Sequence, residues 1–476
     1  MAYTRDERET ILTVGLGEVL VRLGFVPVTA VVPALAMELG VSASDASWIL
    51  TLFILTLAGS LLVAGRLGDL FGHPRLFALG GLIFTVTAAA TAVVTDFTTL
   101  VIVRAIQGVG AALVSGNNLA ILAVAVSPER RGGAMGIVIT GTSLVSLLAA
   151  ALAPALVASG YWQLIFLVSA PLALWATIRG RRLPDGRTST AGAPVDWWGA
   201  VLLVLATTFL AVLLNHPHTP STEPLMPFFH VGGAALALVA VGAFLLVERR
   251  VAVPLLDWRW LRERVFAAAV GGNFLIHTTM MATMFLGPVM VVHGFGMSST
   301  AGSMIMVTSQ AAAMLTAFVG GSLYDRTGAA WLRPLSFAGV SVSFLGWALA
   351  GLAGSYEGVL AVGMFAGLCM GVLIAVNNTV IMGSLPGEAR GVASGMLETT
   401  RHFGHALGVT IATAILALFV TGEGPGALPA AYGSGFAWAC VVMAVLSAVG
   451  AVLTLVPRPG VRVVAALRDR SVVPSA

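Results

Sequence analysis

The stretch from Leu397 to Gly408, LETTRHFGHALG, holds a glutamate, an arginine and two histidines within eight positions. Glu398, Arg401, His402 and His405 fall at i, i+3, i+4 and i+7, so a helix would carry all four on one face. A carboxylate beside imidazoles can take up and release a proton near neutral pH, and a nearby guanidinium biases that exchange. A second acid–base pair, Glu18 and Arg22, stands four residues apart, and Arg104 lies in another apolar stretch. These groups are expected to handle protons, with Glu398 as first carrier and Glu18, countered by Arg104, as second. The competing expectation for each Glu/Arg pair is a satisfied intrahelical ion pair.

The rest of the chain says what must position them. Of its 476 residues, 58% are hydrophobic and 10% charged, against roughly 25% charged in soluble domains, so it is read as a membrane protein. All 25 basic residues are arginine. The lack of lysine excludes a phosphate-binding loop, a fused ATP-driven motor and Schiff-base chemistry. Cys369 and Cys440 show neither metal spacing nor a disulfide framework, and His216 and His218 have no further ligands beside them, so no metal is expected. No nucleophile–base arrangement points to an enzyme. The apolar stretch behind MAYTRDERET is too long for a cleaved signal peptide.

Fourteen apolar segments are long enough to cross a bilayer as helices, near 11–37, 46–67, 75–94, 98–124, 133–157, 162–178, 195–214, 229–248, 265–292, 298–323, 331–353, 358–383, 391–419 and 434–456. Arginines gather in alternate loops: 22 of the 25 fall on one side, which the positive-inside rule makes cytoplasmic, with both termini. The opposite loops hold only acids, such as Glu38, Asp96 and Glu357. The basic balance therefore reflects topology, and no nucleic-acid partner is expected. Trp197, Trp198, Trp258 and Trp260 flank helix ends as interfacial anchors.

An internal repeat orders these spans. GRLGDLFG at 65–72 and GSLYDRTG at 321–328 share Gly, Asp and Gly at one spacing. SPERRGGAMG at 127–136 matches PGEARGVASG at 386–395, and before them stand Asn117–Asn118 and Asn377–Asn378. Gly108, Ala112 and Gly116 likewise match Gly363, Gly367 and Gly371, small-residue faces suited to close helix packing. The expected organisation is an all-α polytopic membrane protein of two six-helix bundles, 1–180 and 265–457. Two extra helices and a cytoplasmic amphipathic segment fill 181–264, and a tail follows over 458–476.

These features resemble the major facilitator superfamily, in particular its fourteen-helix drug:proton antiporter branch, over nearly the whole chain. The family's loop motif matches at Gly65, Arg66, Asp69, Gly72 and Arg75, with Asp325 and Gly328 as a degenerate second copy. Its fourth-helix motif matches in RAIQGVGAA through Arg104, Gln107, Gly108 and Gly110, and PLLDWRWLRERVF at 254–266 resembles its segment after the inserted helices. The resemblance implies a gating role for the loop residues, with Asp69 as a conformational latch and Asp325 in a weaker symmetric part. Two departures stand out. Gly24 occupies the place of a first-helix aspartate, and Ala153–Pro154 replaces a Gly-Pro pair on the fifth helix.

At 1.5 Å per residue, Glu398 would lie about 10 Å and His405 about 21 Å from the cytoplasmic end of their helix, around the membrane midplane where such transporters bind. Substrate contact is expected from Asn117, Asn118, Asn377, Asn378, Asn273, His277 and Gln107, with Met280, Met281 and Met284 as an adaptable wall. The asparagines could equally serve as interhelical glue. The expected function is proton-coupled export of hydrophobic or amphipathic small molecules, as in multidrug or antibiotic efflux from the inner (plasma) membrane. The protein would work as a monomer with no cofactor beyond the proton gradient. The alternatives are a carrier of an anionic metabolite or lipid, or a receptor on the same scaffold.

Overall fold

The computed structural model describes residues 3–91, 93–94, 96–127, 131–184, 196–214, 231–251, 260–385, 390–420 and 429–455, and every regular element among them is helical. The first expected span is two rods, α1 (Arg5–Leu23) and α2 (Val26–Leu39). A capping box starts α1, in which the Thr4 hydroxyl accepts from the Glu7 N–H while the Glu7 carboxylate accepts from the Thr4 N–H. The rods part at Gly24–Phe25, and Pro27 sits in the first turn of α2, where a missing N–H costs little. A β-carbon on Gly24 would come within 2.4 Å of the Phe53 ring, which would have to shift to admit a side chain at the joint.

After the short α3 (Ala43–Ala46), α4 (Trp48–Phe71) turns directly into α5 (His73–Ala90) at Gly72, whose φ of 98° favours glycine. The fourth expected span is α6 (Phe97–Ala125), followed by α7 (Arg131–Ala158), α8 (Leu164–Leu167) and α9 (Ser169–Gly180). Next stand α10 (Trp197–Leu214) and α11 (Gly233–Glu248), then α12 (Arg264–Val289), which runs into a π-turn at Met290–Gly294. The chain ends on α13 (Ser299–Thr327), α14 (Leu332–Leu352), α15 (Tyr356–Gly383), α16 (Arg390–Phe419) and α17 (Pro429–Leu453).

Each expected span position holds a helix. Among the described residues nine are long and apolar enough to cross a membrane, and four more apolar helices are shorter. Packing falls into two groups: α1, α4, α5, α6, α7 and α9 pack together, and so do α12 to α17. They meet where α16 lies on α4, α13 on α7, and α2 on both α12 and α13. α10 touches α4 and α16, while α11 leans on α10.

Small residues set the tightest contacts. β-carbons at Gly108 and Gly371 would lie 2.4 Å from the Phe53 carbonyl oxygen and 2.1 Å from that of Ala313. On α16, a β-carbon at Gly404 would lie 2.6 Å from the Phe274 carbonyl oxygen, and one at Gly408 2.1 Å from that of Thr278. Backbone cannot step aside as a side chain can. Gly408→Val is therefore expected to push α16 off α12 at a cost of about 1–3 kcal/mol, read as a lower Tm in detergent.

Asp96 caps α6, its carboxylate accepting from the Thr99 N–H at 2.8 Å. That backbone bond holds the Asp96 carboxyl below its ordinary value of 3.8. Because the folded value is depressed, the stabilisation is present above the unfolded value and lost as pH falls through the folded one. The Tm difference between wild type and Asp96→Ala is expected at neutral pH and should vanish on acidification below about pH 3.8.

Candidate functional site

The 398–405 face lies on α16, turned toward α1 and α12. Arg401 forms an ion pair with Glu398, and both side chains are mostly buried, at 17% and 20% exposed. On α1, Glu18 accepts hydrogen bonds from Ser115 Oγ at 3.1 Å and from Asn118 Nδ2 at 2.8 Å, both on α6. Arg22 interacts electrostatically with Glu18, Glu398 and Arg401, and Glu398 also feels Glu18. Two acids and two arginines from opposite halves thus form one cluster of zero formal charge. A lone charge at this depth would cost several kcal/mol; the arrangement supplies each with opposite charge nearby.

Above the cluster come three imidazoles. His402 Nε2 lies 3.8 Å from Glu398 Oε2, and both ring nitrogens of His402 are buried without a hydrogen-bond partner. His405 Nε2 meets His277 Nδ1 of α12 at 3.0 Å, the ring centroids 4.9 Å apart. Gly404 and Gly408 flank His405 and bring α16 close enough to α12 for that bond. Phe25, at the α1–α2 joint, packs 5.6 Å from the His405 ring and 6.0 Å from the Arg22 guanidinium. His277, expected at a substrate surface, is therefore joined to the histidine group instead.

Arg104 does not counter Glu18. It is fully buried; its Nε donates to the Ile49 carbonyl at 2.9 Å, and its other two nitrogens donate to the Gln107 carboxamide oxygen and the Gly24 carbonyl. The guanidinium also faces the Phe53 and Phe166 rings at 4.2 and 5.2 Å. With no carboxylate at position 24, this arginine answers a backbone carbonyl freed by the helix break. Gln107 is occupied by Arg104 and 1% exposed, which removes it from substrate contact in this state.

The asparagines divide by partner. Asn117 donates to the Leu113 and Ala64 carbonyls at 2.7 and 3.2 Å and meets His73 Nδ1 at 2.8 Å, tying α4, α5 and α6 together. Asn377 donates to the Ala269 carbonyl at 3.0 Å, and Asn273 to the Leu397 carbonyl at 2.9 Å and Thr400 Oγ1 at 2.8 Å. These three hold helices together. Asn118 belongs to the Glu18 site, and the Asn378 side-chain oxygen has no hydrogen-bond partner.

Met280, Met284, Met306 and Met370 line a cavity of about 30 Å³, room for a water-sized group and not a substrate. An apolar cleft of about 700 Å³ opens between α10, α11, α12 and α16, with Met396, Thr399 and Phe403 as its α16 wall, on the far side of that helix from Glu398. Of the gating residues, Gly65 packs 3.4 Å from the Gly116 carbonyl oxygen by its β-carbon position, and Gly328 ends α13 at a φ of 62°. The side chains of Arg66, Asp69 and Asp325, and residues His216, His218 and Trp258, lie outside the described set. Trp197 and Trp198 are exposed at the start of α10.

Sequence reasoning passed over Ser115, Phe25, Thr400 and the Gly404–Gly408 pair. The last was legible as a small-xxx-small step inside LETTRHFGHALG. The others carry no signal beyond their residue type.

The model of the Major Facilitator Superfamily matches residues 14–276 and 269–473. The chain is 28% identical over 416 residues to the tetracenomycin C resistance and export protein of Streptomyces glaucescens, covering 86% of this chain and 76% of that one. The methylenomycin A resistance protein of Bacillus subtilis is 27% identical over 413 residues (86% and 88%), and the riboflavin transporter RibZ of Clostridioides difficile 24% over 390 residues (82% and 84%). Among solved structures, a bacterial homologue of the human lysosomal transporter Spinster, inward-facing and unoccupied, superposes with a TM-score of 0.64 at 17% identity over 95% of this chain and 97% of that one. With the family's model matched along both halves and transporters throughout these relatives, the chain belongs to the Major Facilitator Superfamily of membrane transporters.

Proposed function

We propose that the protein exports hydrophobic or amphipathic small molecules by alternating access between its halves, 1–180 and 265–457, driven by protons moving inward through Glu398. The observation that carries this reading is the buried cluster of Glu18, Arg22, Glu398 and Arg401 drawn from α1 and α16. A change in the spacing of the halves alters the arginine field on each acid, which is the means of loading and unloading a proton. Inward proton movement supplies about 2.3 kcal/mol per 100 mV of membrane potential. Export of an antibiotic draws support from the tetracenomycin C and methylenomycin A resistance relatives, and the apolar cleft of about 700 Å³ has the size of a drug-sized site. The remaining parts of the proposal are fourteen crossings, both termini in the cytoplasm and a location in the inner membrane.

Cells expressing the protein and loaded with a fluorescent lipophilic cation test the proposal. Uncoupler-sensitive efflux that disappears in Glu398→Gln is the expected result. No efflux from folded, membrane-inserted wild type sinks it. A second reading, transport of an anion, is favoured by the buried Arg401 Nε, which has no hydrogen-bond partner. Under that reading Arg401→Gln abolishes substrate binding and Glu398→Gln spares it.

A further inference from the structure

We propose that His402, His405 and His277 form a two-way proton relay that connects Glu398 with α12, making His277 a proton station and not a substrate contact. The inference rests on the proton-coupled reading above and adds the path. His277 and His405 are 4% and 1% exposed, stand on different helices, and share one hydrogen bond of 3.0 Å. A single N–H between two imidazoles requires one ring to donate and the other to accept. If His405 Nε2–H donates to His277 Nδ1, His405 Nδ1 is left as a bare acceptor, and it is buried with no other partner. His402 stands between that acceptor and Glu398, 5.7 Å from the His405 ring by centroid and 3.8 Å from the carboxylate, with both nitrogens likewise unbonded. Buried polar atoms are normally paired, so five ring-nitrogen positions along one path with a single bond among them point to groups that exchange partners.

The steps balance. His402 begins with its proton on Nδ1 and accepts the Glu398 proton at Nε2. It then releases Nδ1–H to His405 Nδ1, and His405 passes Nε2–H to His277 Nδ1. His402 and His405 end neutral in their other tautomers, and His277 ends protonated on both nitrogens, holding the added proton at the α12 end of the relay. The reverse sequence returns the proton. Transfer requires side-chain rotation of His402, whose ring centroid is 5.7 Å from that of His405 and whose Nε2 is 3.8 Å from Glu398.

The charged and titratable groups facing the relay are Glu398, Arg401 and His402 on α16 and Glu18 and Arg22 on α1. The other helices packed on α12 and α16 keep their charges near their ends, as at Glu38, Arg326 and Glu357. Phe25 packs against both the Arg22 guanidinium, at 6.0 Å, and the His405 ring, at 5.6 Å.

The test uses full-length protein in sealed proteoliposomes with a pH gradient, following lipophilic-cation flux and internal pH together. Wild type, Glu398→Gln, His277→Asn and His405→Gln are compared across pH 5.5 to about 8.5, the range spanning ordinary imidazole titration. The relay is supported if both histidine variants keep substrate exchange at zero gradient but lose at least about tenfold in proton-driven flux, with a displaced pH profile. It is overturned if they keep the wild-type proton-to-substrate ratio and pH profile while Glu398→Gln loses coupling; the proton-coupled reading then stands without the relay. Absence of proton-coupled flux in wild type overturns both. Should a variant fail to fold, solid-state NMR of ¹⁵N-histidine wild type decides the point: a nitrogen–nitrogen coupling across the His277–His405 bond with both tautomers exchanging supports the relay, and one fixed tautomer overturns it.

Discussion

Arg104→Lys is expected to destabilise the protein by about 3 kcal/mol although the charge is kept. The guanidinium bonds three acceptors, the Ile49 and Gly24 carbonyls and the Gln107 side chain, and lies 4.2 and 5.2 Å from the Phe53 and Phe166 rings. An ammonium ion is a compact charge on a flexible stem and cannot span that set while stacking on two rings. At least one fully buried acceptor is left unpaired, and such a loss costs about 1–3 kcal/mol apiece. Thermal unfolding in detergent reads the effect. A Tm for Arg104→Lys within 1 °C of wild type would show that the fork is dispensable, a threshold on the order of measurement scatter.

Arg401→Gln and Glu398→Gln are each expected to cost about 2–3 kcal/mol, and the double variant less than either, because the cluster is neutral only as a whole. Removing Arg401 leaves two acids facing Arg22; removing Glu398 leaves two arginines facing Glu18. Removing both restores balance. The estimate sits below the usual figure for a fully buried pair because both side chains keep some exposure. Stability of all four proteins closes the cycle. Additive losses would mean that Glu398 and Arg401 are not coupled to each other. Proton-driven transport is expected to be lost in the double variant even where its stability returns.

Class, repeat and most span positions were legible because they depend on amounts: hydropathy over some twenty residues, arginine bias between loops, and a motif spaced twice along the chain. The shared face of Glu398, Arg401, His402 and His405 followed from helical spacing alone. What that face meets did not. Periodicity orients a side chain about its own axis and says nothing of the neighbour across the gap. Hence Arg104, expected opposite Glu18, instead donates to the Gly24 carbonyl at the break. His277 and Asn273 looked like substrate groups for the same reason, and each is claimed by α16. The break between α1 and α2 is marked by Gly24 and Pro27 but masked by the high mean hydropathy of Val26–Leu39, which merges the two rods into one apolar run.

That break divides the first span between two allegiances. The first rod, α1, lies on α6, α7 and α9 of its own half, while the second rod, α2, also rests on α12 and α13 of the other. Between them the backbone has one joint, fastened at the Gly24 carbonyl by Arg104 and filled by Phe25 and Phe53. A chain with this articulation need not roll a whole bundle as one block. It can flex like a knee, with the upper limb following the opposite half while the lower limb stays seated. Glu18 and Arg22 ride on the lower limb, and Phe25, pressed on His405, forms the kneecap. A bend at this joint would therefore move Phe25 relative to the charges, tying geometry and electrostatics to the dihedral angles of Gly24 and Phe25.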